Sequence, residues 1–296
     1  MADELKLAHY GHPVVNGLWL KILGFALTLV DHVGLLFSPY LAESTVTILR
    51  AIGRPAFPIF VFLAMEGLYH THDYWKYFLR LFLMAIVLDS IAYGIHYGLP
   101  VQGAEMEPGN VFTDLALGTL TVYLLKREDS WSWTAFFPAA FLVLSDFSVY
   151  HMTDGGTIKY VMVSDYGTFG LVLFLAFYLA YEMAQKLVRK KARELDLDYG
   201  TLAKDRLRLW INLMVAGALL TVELLFDLLW RYFPTLAIVP SLRLGGMALE
   251  SWSTLALIPI LLYDGRPGVT SRPVRYSLYL FYPVHLVLLW LLTLAL

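Results

Sequence analysis

Two histidines and two arginines lie in stretches of sequence that are otherwise apolar, and they define the chemistry the chain could perform. His32 sits in LVDHVGLLF and His285 in YLFYPVHLV, while Arg50 and Arg54 share LRAIGRPAF. Imidazole titrates near neutral pH, so His32 can serve as a general base. His285, three residues beyond Tyr282, is either a second catalytic histidine or a packing residue. Guanidinium groups favour developing negative charge, so Arg54 and Arg50 suit an oxyanion, or an anionic or carbonyl group of an acceptor. Pro55 and Pro58 interrupt the same stretch. The carbonyls they free are tolerated at membrane depth only beside protein or water. Lys21 precedes His32 by eleven residues. At ~100° per residue that is three turns plus ~20°, so the two share a helix face and lie ~16 Å apart. Such a face suits a long ligand with an anionic head and a reactive far end, which is the shape of an acyl-coenzyme A. Asp31 points ~100° away from His32 and is better placed to pair with Arg50 or Arg54.

Other ionisable or polar groups also fall within or at the mouths of apolar runs: Glu66, Asp89, Asn110, Asp114, Asp146, Asp165, Glu223, Asp227 and Glu250. Such groups are costly in lipid, so each is a functional hypothesis by default. With the N-terminus cytoplasmic, Asp31, His32, Arg50, Arg54, Asp89, Asn110, Asp114, Asp146, Asp165 and Asp227 all lie toward the outer side. That shared depth predicts a polar, water-filled cavity open to the outside. The alternative is a set of structural ion pairs that hold helices together. The chain has no cysteine, which excludes disulfides and thiolate chemistry. No G-x-S-x-G, P-loop, G-x-G-x-x-G or H-E-x-x-H motif is present. His70 and His72 form a lone H-x-H, too little for a metal site, so no metal is expected.

The elements that position these residues follow from composition. Of 296 residues, 58% are hydrophobic and 16% charged, with a formal net charge of −2. Mean hydropathy is +0.62. These values exclude a soluble enzyme and a nucleic-acid binder and leave an all-α polytopic membrane protein. A span needs about 20 apolar residues. The qualifying windows are 17–37, 46–69, 75–97, 110–126, 132–150, 166–186, 207–230, 241–263 and 276–296, about nine spans (eight to ten). The run 232–240, bracketed by prolines, is a candidate re-entrant turn or part of a tenth helix. The first span lacks the flanks of a cleaved signal peptide. The whole chain, 1–296, reads as one membrane domain in the cell (inner) membrane. Most basic residues, among them Lys21, Lys76, Arg80, Lys126, Lys186, Arg189 and Arg206, fall on one side, with Lys159, Arg231 and Arg243 opposite. The positive-inside rule then makes the N-terminus cytoplasmic. The stretch 187–206 is expected as a cytoplasmic basic loop near anionic lipid.

Six segments together resemble the TraX family: LWLKILGFALTLVDHVGLLF, LRAIGRPAFPIFVFLAMEGLYHT, YFLRLFLMAIVLDSIAYG, NVFTDLALGTL, SDYGTFG and YSLYLFYPVHLVLLWLL, in that order. That family is named for a membrane acetylase of the F-pilin N-terminal amine. The chain is also similar to the transmembrane acyltransferases that O-acetylate glycans. Those carry a basic residue and a His on their first helix, a pattern that Lys21 and His32 resemble, with Lys in place of the usual Arg. The resemblance implies acetyl-CoA as acyl donor and leaves the acceptor open: glycan, lipid, peptide amine or metabolite.

The expected function is therefore an acetyl-CoA-dependent membrane acyltransferase. His32 would be the base or acetyl relay, with Asp31, Arg54 and His285 beside it. Lys21, Arg50 and Arg80 would meet the donor. Asp89, Asn110, Asp114, Asp165, Glu66 and Glu250 would line the polar cavity. The competing reading is a transporter or flippase using the same cavity.

Overall fold

A computed structural model describes residues 15–98, 109–150, 164–233, 243–244, 247–268 and 271–295. The architecture is an all-α polytopic bundle. In chain order the α-helices are α1 (Gly17–Leu36), α2 (Glu43–Gly53), α3 (Ala56–His70), α4 (Tyr74–Gly98), α5 (Val111–Leu125), α6 (Phe136–Tyr150), α7 (Gly167–Glu194), α8 (Tyr199–Tyr232), α9 (Leu257–Leu261) and α10 (Arg272–Thr293). Among the described residues, six stretches are long and apolar enough to cross a membrane: Gly17–Leu36, Glu43–His70, Tyr74–Gly94, Gly167–Glu194, Arg206–Tyr232 and Tyr276–Thr293. Val111–Leu125 and Leu249–Leu261 are shorter apolar helices. Large apolar side chains such as Trp19, Leu83, Leu224 and Leu288 are exposed on the outside of the bundle. A soluble fold would bury them; here they form the lipid-facing surface of an integral membrane protein.

Three expected elements differ. Residues 241–263 do not form one spanning helix. Arg243–Leu244 pairs antiparallel with Met247–Ala248, and a 3-10 helix, Leu249–Ala256, leads into the five residues of α9. The Ser/Thr-rich ESWST favours local side-chain bonds over a regular helix. The window 132–150 begins with a 3-10 helix, Ser130–Ala135, before α6. The basic stretch 187–206 is mostly helix and not a loop, because α7 runs to Glu194 and α8 starts at Tyr199. Its Lys, Arg, Ala and Glu are good helix formers, and Glu194 lies 3.1 Å from Lys191. The chain reverses at Asp196, whose φ is +51°, and Asp198 caps α8 by accepting from the Thr201 N–H at 3.0 Å. The re-entrant candidate 232–240 lies, beyond Phe233, outside the described residues.

The core runs through the centre of the bundle, with Leu20, Phe57, Phe62, Phe174, Phe177 and Tyr181 almost fully buried. Helix α1 packs on α2 and α3, and α7 packs on α8. Gly24 faces Phe60, while Asp31 faces Gly53. Thus α3 runs antiparallel to α1, and it carries the chain from the His32 end of the bundle to the end where α1 begins.

Candidate functional site

The site starts from the two histidines. His32 is in the last turns of α1 and His285 in the middle of α10, 253 residues apart in sequence. Their rings are nearly parallel, 8° apart, and His32 Nδ1 lies 2.7 Å from His285 Nε2. The partners fix the tautomers. His285 Nδ1 is 2.8 Å from the carbonyl oxygen of Phe281, which can only accept. That nitrogen therefore carries the proton, and Nε2 of the neutral ring accepts. His32 Nδ1 must then donate, which leaves the lone pair of His32 on Nε2. Among the described residues that atom has no hydrogen-bond partner. A carbonyl, one imidazole and a second imidazole thus form a chain that presents a base at its end.

An ion-pair cluster adjoins this chain. Arg50 Nη1 donates to Asp31 Oδ2 at 2.7 Å, and Arg54 Nη2 donates to Asp31 Oδ1. Arg54 Nη1 also donates to Glu250 Oε1 at 2.7 Å, and its Nε to the Arg50 carbonyl at 3.3 Å. Two carboxylates and two guanidinium groups balance in charge. Arg54 and Pro55 form the break between α2 and α3. Pro55 and Pro58 supply no N–H to the carbonyls of Ala51 and Arg54, so the backbone is loosened where the guanidinium turns inward. Gly53 makes the contact possible: a Cβ there would lie 2.3 Å from Asp31 Cβ, and any side chain would push α1 and α2 apart.

A pocket opens beside the histidines. Its walls include Asp31, His32, Phe57, Asp165, Tyr166 and Tyr282. Asp165 is exposed at this pocket, while Arg50 and Arg54 are not among its lining residues. The ring of Tyr166 lies flat on Phe57 at 3.5 Å, and that of Tyr282 stands edge-on to His32.

Several of the expected cavity residues serve to hold helix ends. Asn110 caps α5 by accepting from the Phe112 and Thr113 N–H groups, and its amide donates to Asp89 at 2.8 Å. Asp114 accepts from the backbone of Asp165 at 2.9 Å, from Gly167 at 3.0 Å and from the Ser164 hydroxyl. Together with Asp146, which accepts from the Thr168 N–H at 2.8 Å, it anchors the start of α7. Gly167 fills this turn with φ of +48°, and a Cβ there would strike Asp146 at 1.8 Å. These bonds place Asp165 and Tyr166 at the pocket. Glu250 does not line the pocket and bonds Arg54.

Glu66 belongs to a separate cluster at the other end of α3. Arg208 grips it with two bonds of 2.8 and 2.9 Å, Tyr181 donates to Oε1, and Tyr263 donates to Oε2 at 3.3 Å. Sequence reading missed Arg208, which opens a span directly after a run of basic residues and looks like one more topology anchor. Tyr166 was missed as well, since nothing in SDYGTFG distinguishes it from a packing aromatic. Lys21 is half-buried near the start of α1. Arg80 is exposed on α4, donating to the Lys76 carbonyl at 3.1 Å, one turn and a half into the helix that starts where α3 ends. Both lie toward the end of the bundle remote from His32. Among the described residues, no group of three or more His, Asp or Glu side chains is arranged to hold a metal ion.

Comparison with known proteins shows what the chain is similar to. A family model described as TraX protein matches residues 16–194. The "Probable fimbrial assembly protein FimC, serogroup H1" of Dichelobacter nodosus is 25% identical over 282 residues, covering 91% of this chain and 92% of that protein. No solved structure matches the chain.

Proposed function

The chain belongs to the TraX family, and from that premise we propose that it is an integral membrane acyltransferase that moves an acetyl group from acetyl-CoA to an acceptor hydroxyl or amine. The observation that carries this reading is the hydrogen-bonded chain from the Phe281 carbonyl through His285 to His32, which ends in a lone pair beside the pocket. His32 Nε2 takes the proton of the acceptor as its oxygen or nitrogen attacks the thioester carbon. The C–S bond breaks, and the imidazolium returns the proton to the coenzyme A thiolate. Proton and acyl group are both accounted for, and His285 holds the His32 ring in the tautomer that the step needs. Arg50 and Arg54 fix Asp31 and hold α1, α2 and the Glu250 segment in register around the base.

In this reading the N-terminus is cytoplasmic and the protein resides in the inner membrane. Acetyl-CoA enters from the Lys21 end, where Lys21 and Arg80 meet its phosphates, and the thioester reaches toward His32, ~16 Å further along α1. The acceptor approaches past Asp165. The name of the Dichelobacter relative adds a fimbrial subunit to the acceptors worth testing.

The donor is tested first. Wild-type protein purified in detergent, given acetyl-CoA and no membrane gradient, is expected to bind it and to release free coenzyme A slowly even without acceptor. Absence of binding at millimolar acetyl-CoA overturns the reading, and is the result expected of a transporter with the same pocket.

A further inference from the structure

Attack on a thioester carbonyl places negative charge on the carbonyl oxygen, and catalysis requires a donor aimed at it. Arg54 and Arg50 are the obvious cations, but neither lines the pocket, and all three side-chain nitrogens of Arg54 already bond Asp31, Glu250 and the Arg50 carbonyl. Among the pocket's hydroxyls, that of Thr28 is committed to the Gly24 carbonyl at 2.9 Å. Two phenols remain. Tyr166 belongs to the start of α7, with its ring clamped on Phe57. Tyr282 stands beside the base itself, its ring perpendicular to those of His32 at 5.7 Å and His285 at 5.1 Å. A perpendicular contact with Phe112 at 5.2 Å fixes the ring from another side. Its hydroxyl makes no hydrogen bond to the described residues, and Tyr282 lines the pocket together with Asp31, His32 and Asp165.

We propose that the Tyr282 hydroxyl donates a hydrogen bond to the thioester oxygen as negative charge develops there, which makes Tyr282 a catalytic residue of the same site; this rests on the acyltransferase reading above. The phenol keeps its proton throughout: the bond is a donation to the oxyanion, and the proton that moves is the acceptor's, through His32. One helix thereby supplies two functions three residues apart, Tyr282 for the carbonyl oxygen and His285 for the tautomer of the base.

The test compares wild type, Tyr282→Phe and His32→Ala as purified full-length proteins, reading coenzyme A release from acetyl-CoA. Tyr282→Phe keeps the ring and removes only the donor. It is expected to lower kcat about 100-fold with KM unchanged, and to bind acetyl-CoA and melt as wild type does. Tyr282→Met, which fills similar space without a hydroxyl, is the second variant and is expected to show the same loss. A Tyr282→Phe protein whose kcat stays within twofold of wild type, or whose loss lies wholly in KM, overturns the proposal while leaving the acyltransferase reading intact. A wild type that neither binds nor cleaves acetyl-CoA overturns both.

Discussion

Two buried ion-pair clusters lie at the two ends of α3, around Arg54 and around Glu66, twelve residues and so ~18 Å apart along the helix. They are built from the same chemistry and differ in what pairing leaves over. At Glu66 every carboxylate oxygen is taken: Oε1 by Arg208 and Tyr181, Oε2 by Arg208 and Tyr263. At Arg54 the charges also balance, but the cluster adjoins a pocket, Glu250 Oε2 is buried without a hydrogen bond, and His32 Nε2 is left with a lone pair. A saturated cluster locks helices together. A cluster with spare acceptors beside a cavity can meet a ligand. The depth of a charge in the membrane does not separate these cases; the count of satisfied atoms does.

The comparison can be broken at either end. The largest stability effect is expected at Glu66. Glu66→Gln removes a charge and leaves Arg208 poorly compensated, at a cost of about 3 kcal/mol, read as a lower melting temperature in detergent. The protein that remains folded should release coenzyme A at a rate within twofold of wild type; a selective loss of activity would mean that this cluster too belongs to the chemistry. Gly53→Ala is expected to cost about 2 kcal/mol, because the new methyl must displace the Asp31 backbone at a tightly packed crossing. Its activity should fall further than its stability accounts for, since Asp31 and His32 move together. Equal stability of Gly53→Ala and wild type would show that the α1–α2 contact is looser than described.

Much of this was legible in the sequence where the signal is local. The limits of α1 follow from one apolar run, the shared face of Lys21 and His32 from helical spacing, and the break at Arg54 from the two prolines beside it. Asp31 was expected to turn from His32 toward the arginines, and it pairs with both. What escaped was non-local or ambiguous in composition. That His285 meets His32 is decided by the docking of the last long helix against the first, across 253 residues, and no periodicity encodes it. Arg208 and Glu66 are 142 residues apart, and a basic residue at a helix start looks the same whether it anchors topology or pairs in the interior. The stretch 241–263 is apolar enough to span, yet its Ser and Thr residues let local bonding compete with the helix. Asn110 and Asp114, expected to line a cavity, bond the starts of α5 and α7, a distinction that only the partners reveal.

The central claim is that His32 is the base. The most direct measurement is single-turnover release of coenzyme A from acetyl-CoA, with His32→Ala beside wild type and binding followed on the same samples. The predicted result is unchanged acetyl-CoA binding with release slowed by a factor on the order of 10² to 10⁴. Release by His32→Ala at the wild-type rate would contradict it.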